Sequence, residues 1–115
     1  MDDADLRERL EQRLMSHGVY VTDLSTDDGT LHVAYETASP GEEVPHREVG
    51  RVLNRLLDLL DEGWEPLDVR AEVSSIDEEP RGTWRADGEW LAAHDRGDLS
   101  DVDLSQRVID TIEEA

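Results

Sequence analysis

The chain has 115 residues, the size of one ordinary domain, and carries 30 aspartates and glutamates against 11 basic residues, all of them arginine. The formal charge of −19 has the wrong sign for attraction to nucleic-acid phosphates, and the absence of cysteine excludes disulfides and thiolate chemistry. An acidic chain that keeps arginine and lacks lysine fits a cytoplasm at molar salt, where the Debye length is about 3 Å. We therefore expect a halophilic protein.

The N-terminal segment gives no sign of an export signal. Residues Met1–Asp5 are acidic, whereas a signal peptide begins with basic residues. No apolar run approaches the roughly 20 residues of a membrane-spanning helix. The expected location is the cytoplasm.

The first third of the chain predicts a helix followed by a β-hairpin. From Asp2 to Ser16, leucines recur every four residues, which is typical of an amphipathic helix, and Gly18 ends it. Apolar and polar residues then alternate over 19–22 and again over 31–36. The turn residues 26–29 between these two stretches predict an antiparallel pair of strands.

The centre of the chain predicts a long helix and a third strand. Pro45 suits the first turn of a helix, and Gly63 ends it. Residues 67–74 then alternate between apolar and charged side chains, as a half-buried strand does. The apolar positions of the helix cover more than one stripe, so it is expected at the centre of the core; they are Val49, Val52, Leu53, Leu56, Leu57, Leu59 and Leu60.

Two assignments are open for the segment that follows the third strand. Residues Trp84–Arg96 form either a helix capped by Thr83, which we prefer, or a short strand that turns at 87–88 before a helix through Trp90. Ser100 can then cap a last helix. Its apolar positions are Leu104, Val108, Ile109 and Ile112.

These elements predict one α+β domain over 1–115, with an α/β core over 1–76 and a C-terminal helical hairpin over 83–115 packed on it. The order is helix, strand, strand, helix, strand, helix, helix, and the simplest architecture is a two-layer sandwich with a small, mainly antiparallel sheet. The first and central helices would cover one face of the sheet. The other face would be either solvated or covered by the tryptophan-containing tail.

Over residues 2–75 this element order resembles the type II KH domain, a nucleic-acid-binding module. The resemblance is one of topology alone, because the glycines never fall three residues apart and the GXXG loop that clamps nucleic acid is missing. Nucleic-acid binding is therefore ranked third among the functions considered.

The segment Trp90–Leu104, continued by Val108, Ile109 and Ile112, resembles the short two-helix SHOCT pattern: an apolar helix, a glycine, acids and a second apolar helix. Leu104 stands where that family usually has an aromatic residue. The resemblance implies packing or assembly. As a whole, the lysine-free acidic chain also resembles small uncharacterised proteins of halophilic archaea, from which no activity carries over.

A row of arginines on the central helix is one candidate interaction site. Arg47, Arg51 and Arg55 lie four residues apart and so share a helix face. The row would meet phosphates or an acidic partner. The alternative is that Arg51 and Arg55 pair with nearby acids such as Glu48, Asp58 or carboxylates of the strands.

The second candidate is the segment rich in tryptophan and arginine. Trp84 and Trp90 are six residues apart, so on one helix they would not share a side and one would stay exposed. Arg81 and Arg85 flank them, and both residue types are enriched at interaction hot spots. The alternative is that the tryptophans pack over the open sheet.

No motif predicts catalysis, a metal or a cofactor. The histidines at 17, 32, 46 and 94 form no HxH, HxxxH or HExxH spacing, and neither a GxSxG elbow nor a phosphate-binding glycine loop occurs. Paired carboxylates such as Asp27 and Asp28 follow from the composition.

The leading hypothesis is therefore a non-enzymatic interaction or adaptor module of a high-salt cytoplasm, which binds a protein partner or itself. The alternative is a small-molecule-binding or enzymatic domain with a pocket between the hairpin and the helices, using His32, Tyr35 or Arg70.

The composition itself yields a testable expectation. In dilute buffer, unscreened repulsion among the 30 acids should loosen or unfold the domain, and molar KCl should restore it. Thermal unfolding followed by circular dichroism in both solutions measures this. Equal melting temperatures would contradict the halophilic interpretation.

Overall fold

The computed structural model describes residues 1–115 and contains four helices and five strands. The helices are α1 (Asp3–Met15), α2 (His46–Asp61), α3 (Gly88–Asp95) and α4 (Asp101–Ile109). The strands are β1 (Val19–Asp27), β2 (Thr30–Thr37), β3 (Asp68–Ser75), β4 (Pro80–Ala86) and β5 (Glu113–Glu114). The predicted α+β class is confirmed, as is the predicted order of helices and strands, to which the structure adds β4 and the short β5.

The five strands form one sheet in the order β1-β2-β3-β4-β5. All neighbouring strands are antiparallel except β2 and β3, which are parallel. A parallel pair cannot be joined by a tight turn, so the chain has to cross over the sheet between them. Helix α2 makes this crossover.

One face of the sheet is buried beneath the helices and the other is open. Helices α1 and α2 bury their apolar stripes, and α3 and α4 pack against α2 and against each other. In β2 and β3 the residues that face the helices are buried, and those between them are partly or fully exposed. The sequence left open whether the second face is solvated or covered by the tryptophan-containing tail. In the structure this face is solvated.

The preferred helix over Trp84–Arg96 is wrong at its start. Residues Pro80–Ala86 form strand β4, and the helix begins after Asp87. In β4, Trp84 lies opposite Ala71 and buries its ring on the helical side of the sheet. This burial on an available strand edge outweighs the local helical pattern.

Helix α1 also covers part of the outer edge of β1. The carboxylate of Asp3 accepts hydrogen bonds from the backbone N–H of Thr26 at 3.0 Å and from its hydroxyl at 2.6 Å. The guanidinium of Arg7 donates to the carbonyl oxygen of Thr22 at 3.1 Å. Backbone groups that an edge strand would otherwise offer to another chain are thereby occupied.

A bulge in β4 turns one arginine into the interior. Gly82 and Pro80 pair with consecutive residues of β3, so Arg81 between them is the extra residue. Its guanidinium donates to the carbonyl oxygens of Ser39 at 2.5 Å and Glu43 at 3.2 Å. The bulge therefore ties β4 to the loop that precedes α2.

The C-terminal residues close the other side of the sheet. Strand β5 pairs with Gly82 and Thr83 of β4, and the backbone N–H of Val44 donates to the Glu114 carboxylate at 3.1 Å.

None of the four helices combines the length and the apolar character that crossing a lipid bilayer requires.

Gly82→Ala should detach the C-terminal strand. Gly82 has a φ of +153°, and a Cβ there would overlap the carbonyl oxygen of Glu113 and lie 2.8 Å from Val44 Cγ2. We expect a loss of about 1–3 kcal/mol in the free energy of unfolding, measured by urea titration. Gly41→Ala is the control, because that site has a φ of +108° but open space around it. An equal loss in both variants would contradict the steric argument.

Candidate functional site

The open face of the sheet carries a row of basic side chains. His32 in β2 lies opposite Arg70 in β3, which in turn lies opposite Arg85 in β4. All three residues are exposed, because strand alternation points them away from the helices. The row therefore crosses three adjacent strands at one level. We call His32, Arg70 and Arg85 the basic row.

An acidic row lies two residues away along the strands. Asp23, Glu72 and Glu113 stand at this level, separated from one another by the small side chains of Ala34 and Thr83. We call the three carboxylates the acidic row. Strand geometry places the two rows about 7 Å apart.

A shallow concavity of about 690 Å³ lies over the two rows and between them. Residues of both rows line it, together with Ala34, Thr83 and Thr111. The concavity is on the outer face of the sheet, not between the hairpin and the helices where the sequence placed a pocket. Of the residues expected there, His32 and Arg70 line it, whereas Tyr35 is buried beneath the sheet.

No carboxylate lies within 4.0 Å of the Arg70 guanidinium, although the chain has 30 acids, and the same is true of Arg47, Arg51, Arg81 and Arg107. Arg85, directly opposite, forms an ion pair with Asp87 at 2.5 Å. Like charges opposite each other on a sheet repel. The middle of the basic row is thus an exposed cation that the chain itself does not neutralise.

A second surface adjoins the basic row at Arg85. The ring of Trp90 lies 5.6 Å from the guanidinium carbon of Arg85 and 5.9 Å from that of Arg107, both distances measured to the ring centroid. These are cation–π contacts. Trp90 is partly exposed, and Ile112 lies beside it in a depression of about 430 Å³. We call Arg85, Trp90, Arg107 and Ile112 the Trp90 patch.

The structure separates the tryptophan and arginine residues that the sequence grouped together. Arg85 and Trp90 come together on the surface, as their grouping suggests. Trp84 and Arg81 do not, since their exposed fractions are 2% and 5%. Their proposed place in an interaction surface has to be corrected, because strand alternation buries Trp84 and the bulge in β4 buries Arg81.

The arginine row of α2 is only partly free. Arg51 contacts the ring nitrogen Nδ1 of His17, and Arg55 forms an ion pair with Asp58 at 3.3 Å, as the pairing alternative expected. Arg47 is exposed and has no carboxylate within 4.0 Å. The row does not present three free guanidinium groups to a partner.

The sequence analysis missed Arg107 and Thr111. Arg107 belongs to the last turn of α4, and Thr111 accepts a hydrogen bond from the backbone N–H of Arg85 at 2.9 Å through its hydroxyl oxygen. Both residues reach the site because the chain returns to β4 after α4. No local pattern signals that return, because it depends on tertiary packing.

A buried polar cluster lies near the start of α2. The Ser39 hydroxyl donates to the Glu48 carboxylate at 2.5 Å, and the Ser39 carbonyl binds Arg81. Glu48 is 5% exposed, and its Oε1 atom has no partner. No histidine is hydrogen-bonded to Ser39, so the serine is not arranged as an activated nucleophile. The cluster links a buried carboxylate to a buried guanidinium through one serine.

No metal centre is formed either. Nowhere do three or more histidine, aspartate or glutamate side chains converge in a way that could hold an ion. His94 and Asp101 are in contact, but only as a pair between α3 and α4.

These features define a small α+β module with helices on one face of its sheet and a charged, open surface on the other. The chain belongs to the DUF8159 family, a domain of unknown function, whose match covers residues 1–115. No curated protein and no solved structure matches the chain significantly. Family membership assigns no activity, so the function has to be argued from the surfaces.

Trp84 and Tyr35 form a buried contact that makes stability depend on pH. Trp84 Nε1 donates to the Tyr35 hydroxyl at 2.9 Å, and burial raises the pKa of Tyr35 above its ordinary value of 10.0. Because the folded state favours the neutral phenol, stability is retained below pH 10 and lost above it, by up to about 1.4 kcal/mol per pH unit.

Urea titrations between pH 8 and 11 measure this loss. Tyr35→Phe should flatten the pH dependence, whereas Tyr20→Phe, at a residue that is 40% exposed, should leave it unchanged. Identical slopes for wild type and Tyr35→Phe would refute the assignment.

Proposed function

We propose that this protein is a non-enzymatic interaction module of a high-salt cytoplasm, which binds a protein partner or a second copy through the Trp90 patch. The observation that carries the proposal is the position of Trp90, partly exposed and in contact with the guanidinium groups of both Arg85 and Arg107.

The composition of the patch supports binding. Tryptophan and arginine are the residues most enriched at hot spots of protein interfaces. The two cation–π contacts also hold the Trp90 ring and both guanidinium groups in place before a partner arrives. Less conformational entropy is then lost on binding, and this favours affinity.

The charge of the patch indicates the chemistry of the partner. Arg85 and Arg107 are two positive groups on a chain of net charge −19. Arg85 is paired with Asp87, and Asp110 and Glu113 line the same depression, so Arg107 is the arginine of the patch with no carboxylate within 4.0 Å. An acidic surface with an apolar side chain for the Trp90 ring is the complementary partner. At molar salt the long-range attraction is screened, so direct stacking and apolar contact would supply most of the affinity.

The C-terminal helices are consistent with assembly as well. Helices α3 and α4 contact each other and Trp90 lies on α3, and the resemblance of this segment to the SHOCT pattern would imply packing or assembly. An interface of standard size buries about 800 Å² on each partner. The total accessible surface of this chain is 6513 Å², so such an interface would cover about an eighth of it.

Trp90→Ala tests the proposal in an affinity purification from host extract at molar KCl. We expect partner recovery, or self-association measured by light scattering, to fall by at least about tenfold, the usual effect of losing a hot spot. Arg107→Gln should weaken binding in the same direction.

The matched control is Tyr20→Ala, which removes an exposed aromatic side chain from β1, at the opposite side of the sheet. Circular dichroism confirms that each variant is folded. Unchanged recovery with folded Trp90→Ala and Arg107→Gln, or an equal loss with Tyr20→Ala, would refute a role for the patch.

A further inference from the structure

The open face of the sheet carries charges that the fold leaves uncompensated. Arg70 and Arg85 lie directly opposite each other, an arrangement that destabilises a sheet. Carboxylates are abundant elsewhere, yet none lies within 4.0 Å of Arg70. Arg85 uses one of its guanidinium nitrogens for Asp87 and keeps the others free for a ligand.

The acidic row does not neutralise the basic row. Arg70 and Glu72 are two residues apart on the same face of β3. Glu113 of β5 lies opposite Thr83, which is two residues from Arg85 in β4. Neither Arg70 and Glu72 nor Arg85 and Glu113 form an ion pair within 4.0 Å. The open face therefore presents two parallel bands of opposite charge. Such a surface is complementary to a ligand that carries both charges.

The space between the bands has the size of a ligand site. The concavity of about 690 Å³ falls within the range of about 300–1,000 Å³ that is typical for small-molecule sites. Its depth comes from Ala34 and Thr83, whose small side chains lie among the longer charged ones. The His32 ring and the Thr83 hydroxyl add hydrogen-bonding groups at its surface.

We propose that this concavity binds a small zwitterion, whose carboxylate or phosphate group is held by Arg70 and Arg85 and whose ammonium group is held by Glu72 and Glu113. The planar guanidinium group donates two parallel hydrogen bonds to a carboxylate or a phosphate. This site goes beyond the protein-interaction function. Arg85 belongs to both surfaces, whereas Arg70 and Glu72 belong to the concavity alone and so distinguish it from the Trp90 patch.

Both rows are needed for this selectivity. The carboxylates of Asp23, Glu72 and Glu113 repel a simple anion, and they also repel a polyanion such as nucleic acid. The basic row repels a simple cation. With the rows about 7 Å apart, the preferred ligand has several carbon atoms between its two charged groups.

The test is an NMR titration of the ¹⁵N-labelled full chain, at the lowest KCl concentration at which circular dichroism shows it folded. The probes are 4-aminobutyrate and phosphoethanolamine, which are zwitterions, and butyrate and butylamine, which carry one charge each. The signals of the two rows should shift saturably with the zwitterions, whose affinity should exceed that of butyrate and butylamine by at least about tenfold, the effect of one charge-assisted hydrogen bond. The tighter of the two zwitterions identifies the negative group as a carboxylate or a phosphate.

Variants assign the binding to the two rows. Arg70→Gln should weaken zwitterion binding by at least about tenfold, and Glu72→Gln, which leaves Glu113 in place, should reduce the advantage of 4-aminobutyrate over butyrate. Arg47→Gln is the matched control, since it removes an equally exposed and unpaired arginine from α2. If Arg70→Gln does not fold, Arg70→Lys, which keeps the charge but loses the planar group, should weaken binding to a lesser degree.

The proposal is overturned if the zwitterions cause no saturable shift, if butyrate binds as tightly as 4-aminobutyrate, or if Arg47→Gln weakens binding as much as Arg70→Gln. These outcomes are distinguishable from failure of the interaction function, because Arg70→Gln and Glu72→Gln lie outside the Trp90 patch and should weaken zwitterion binding while partner recovery stays unchanged.

Discussion

Burial of the sheet on one face only is the constraint on which the rest of the structure depends. The parallel pairing of β2 with β3 requires a crossover, and α2 supplies it on the same side as α1. Helices α3 and α4 join that layer by packing on α2. Because side chains alternate along a strand, every apolar residue that points toward the helices sends its polar neighbour to the opposite face. The charged rows of the open face are therefore a direct consequence of how the core is packed.

The arginines divide by role in this arrangement. Arg9 and Arg13 bind the carboxylate of Glu62 and connect α1 to the end of α2. Arg81 is buried and donates hydrogen bonds to two backbone carbonyl oxygens. Arg70 and Arg107 stay free of carboxylate partners, and Arg85 lies where their two surfaces meet. Arg47 is also exposed and without a carboxylate partner, so the two proposed surfaces rest on what surrounds their arginines: the Trp90 ring at Arg107 and the two charged rows at Arg70.

The sequence predicted the elements whose patterns are local and strong. The leucines of α1, the apolar face of α2 and the alternation in β1 to β3 each identify their element without tertiary information. A helix was preferred where the structure has strand β4, because the burial of this strand depends on its pairing with β3, which no local pattern shows. Alternation correctly placed His32 and Arg70 away from the core, but only the strand register brings them together. The sequence did not indicate which of Trp84 and Trp90 is buried. In the structure Trp84 is buried because it lies in β4 and faces the helices, whereas Trp90 lies on α3 and is partly exposed.

The two edges of the sheet limit how copies of this protein can combine. Asp3 and Arg7 of α1 bind backbone groups of β1, and β5 lies along β4 at the other side. Part of each edge is thus unavailable to a neighbouring molecule that would extend the sheet. A two-fold contact buries the same patch on both copies and is closed, whereas head-to-tail addition at strand edges can repeat without limit. The partly covered edges therefore disfavour open-ended addition of copies strand to strand, whatever the faces of the molecule bind.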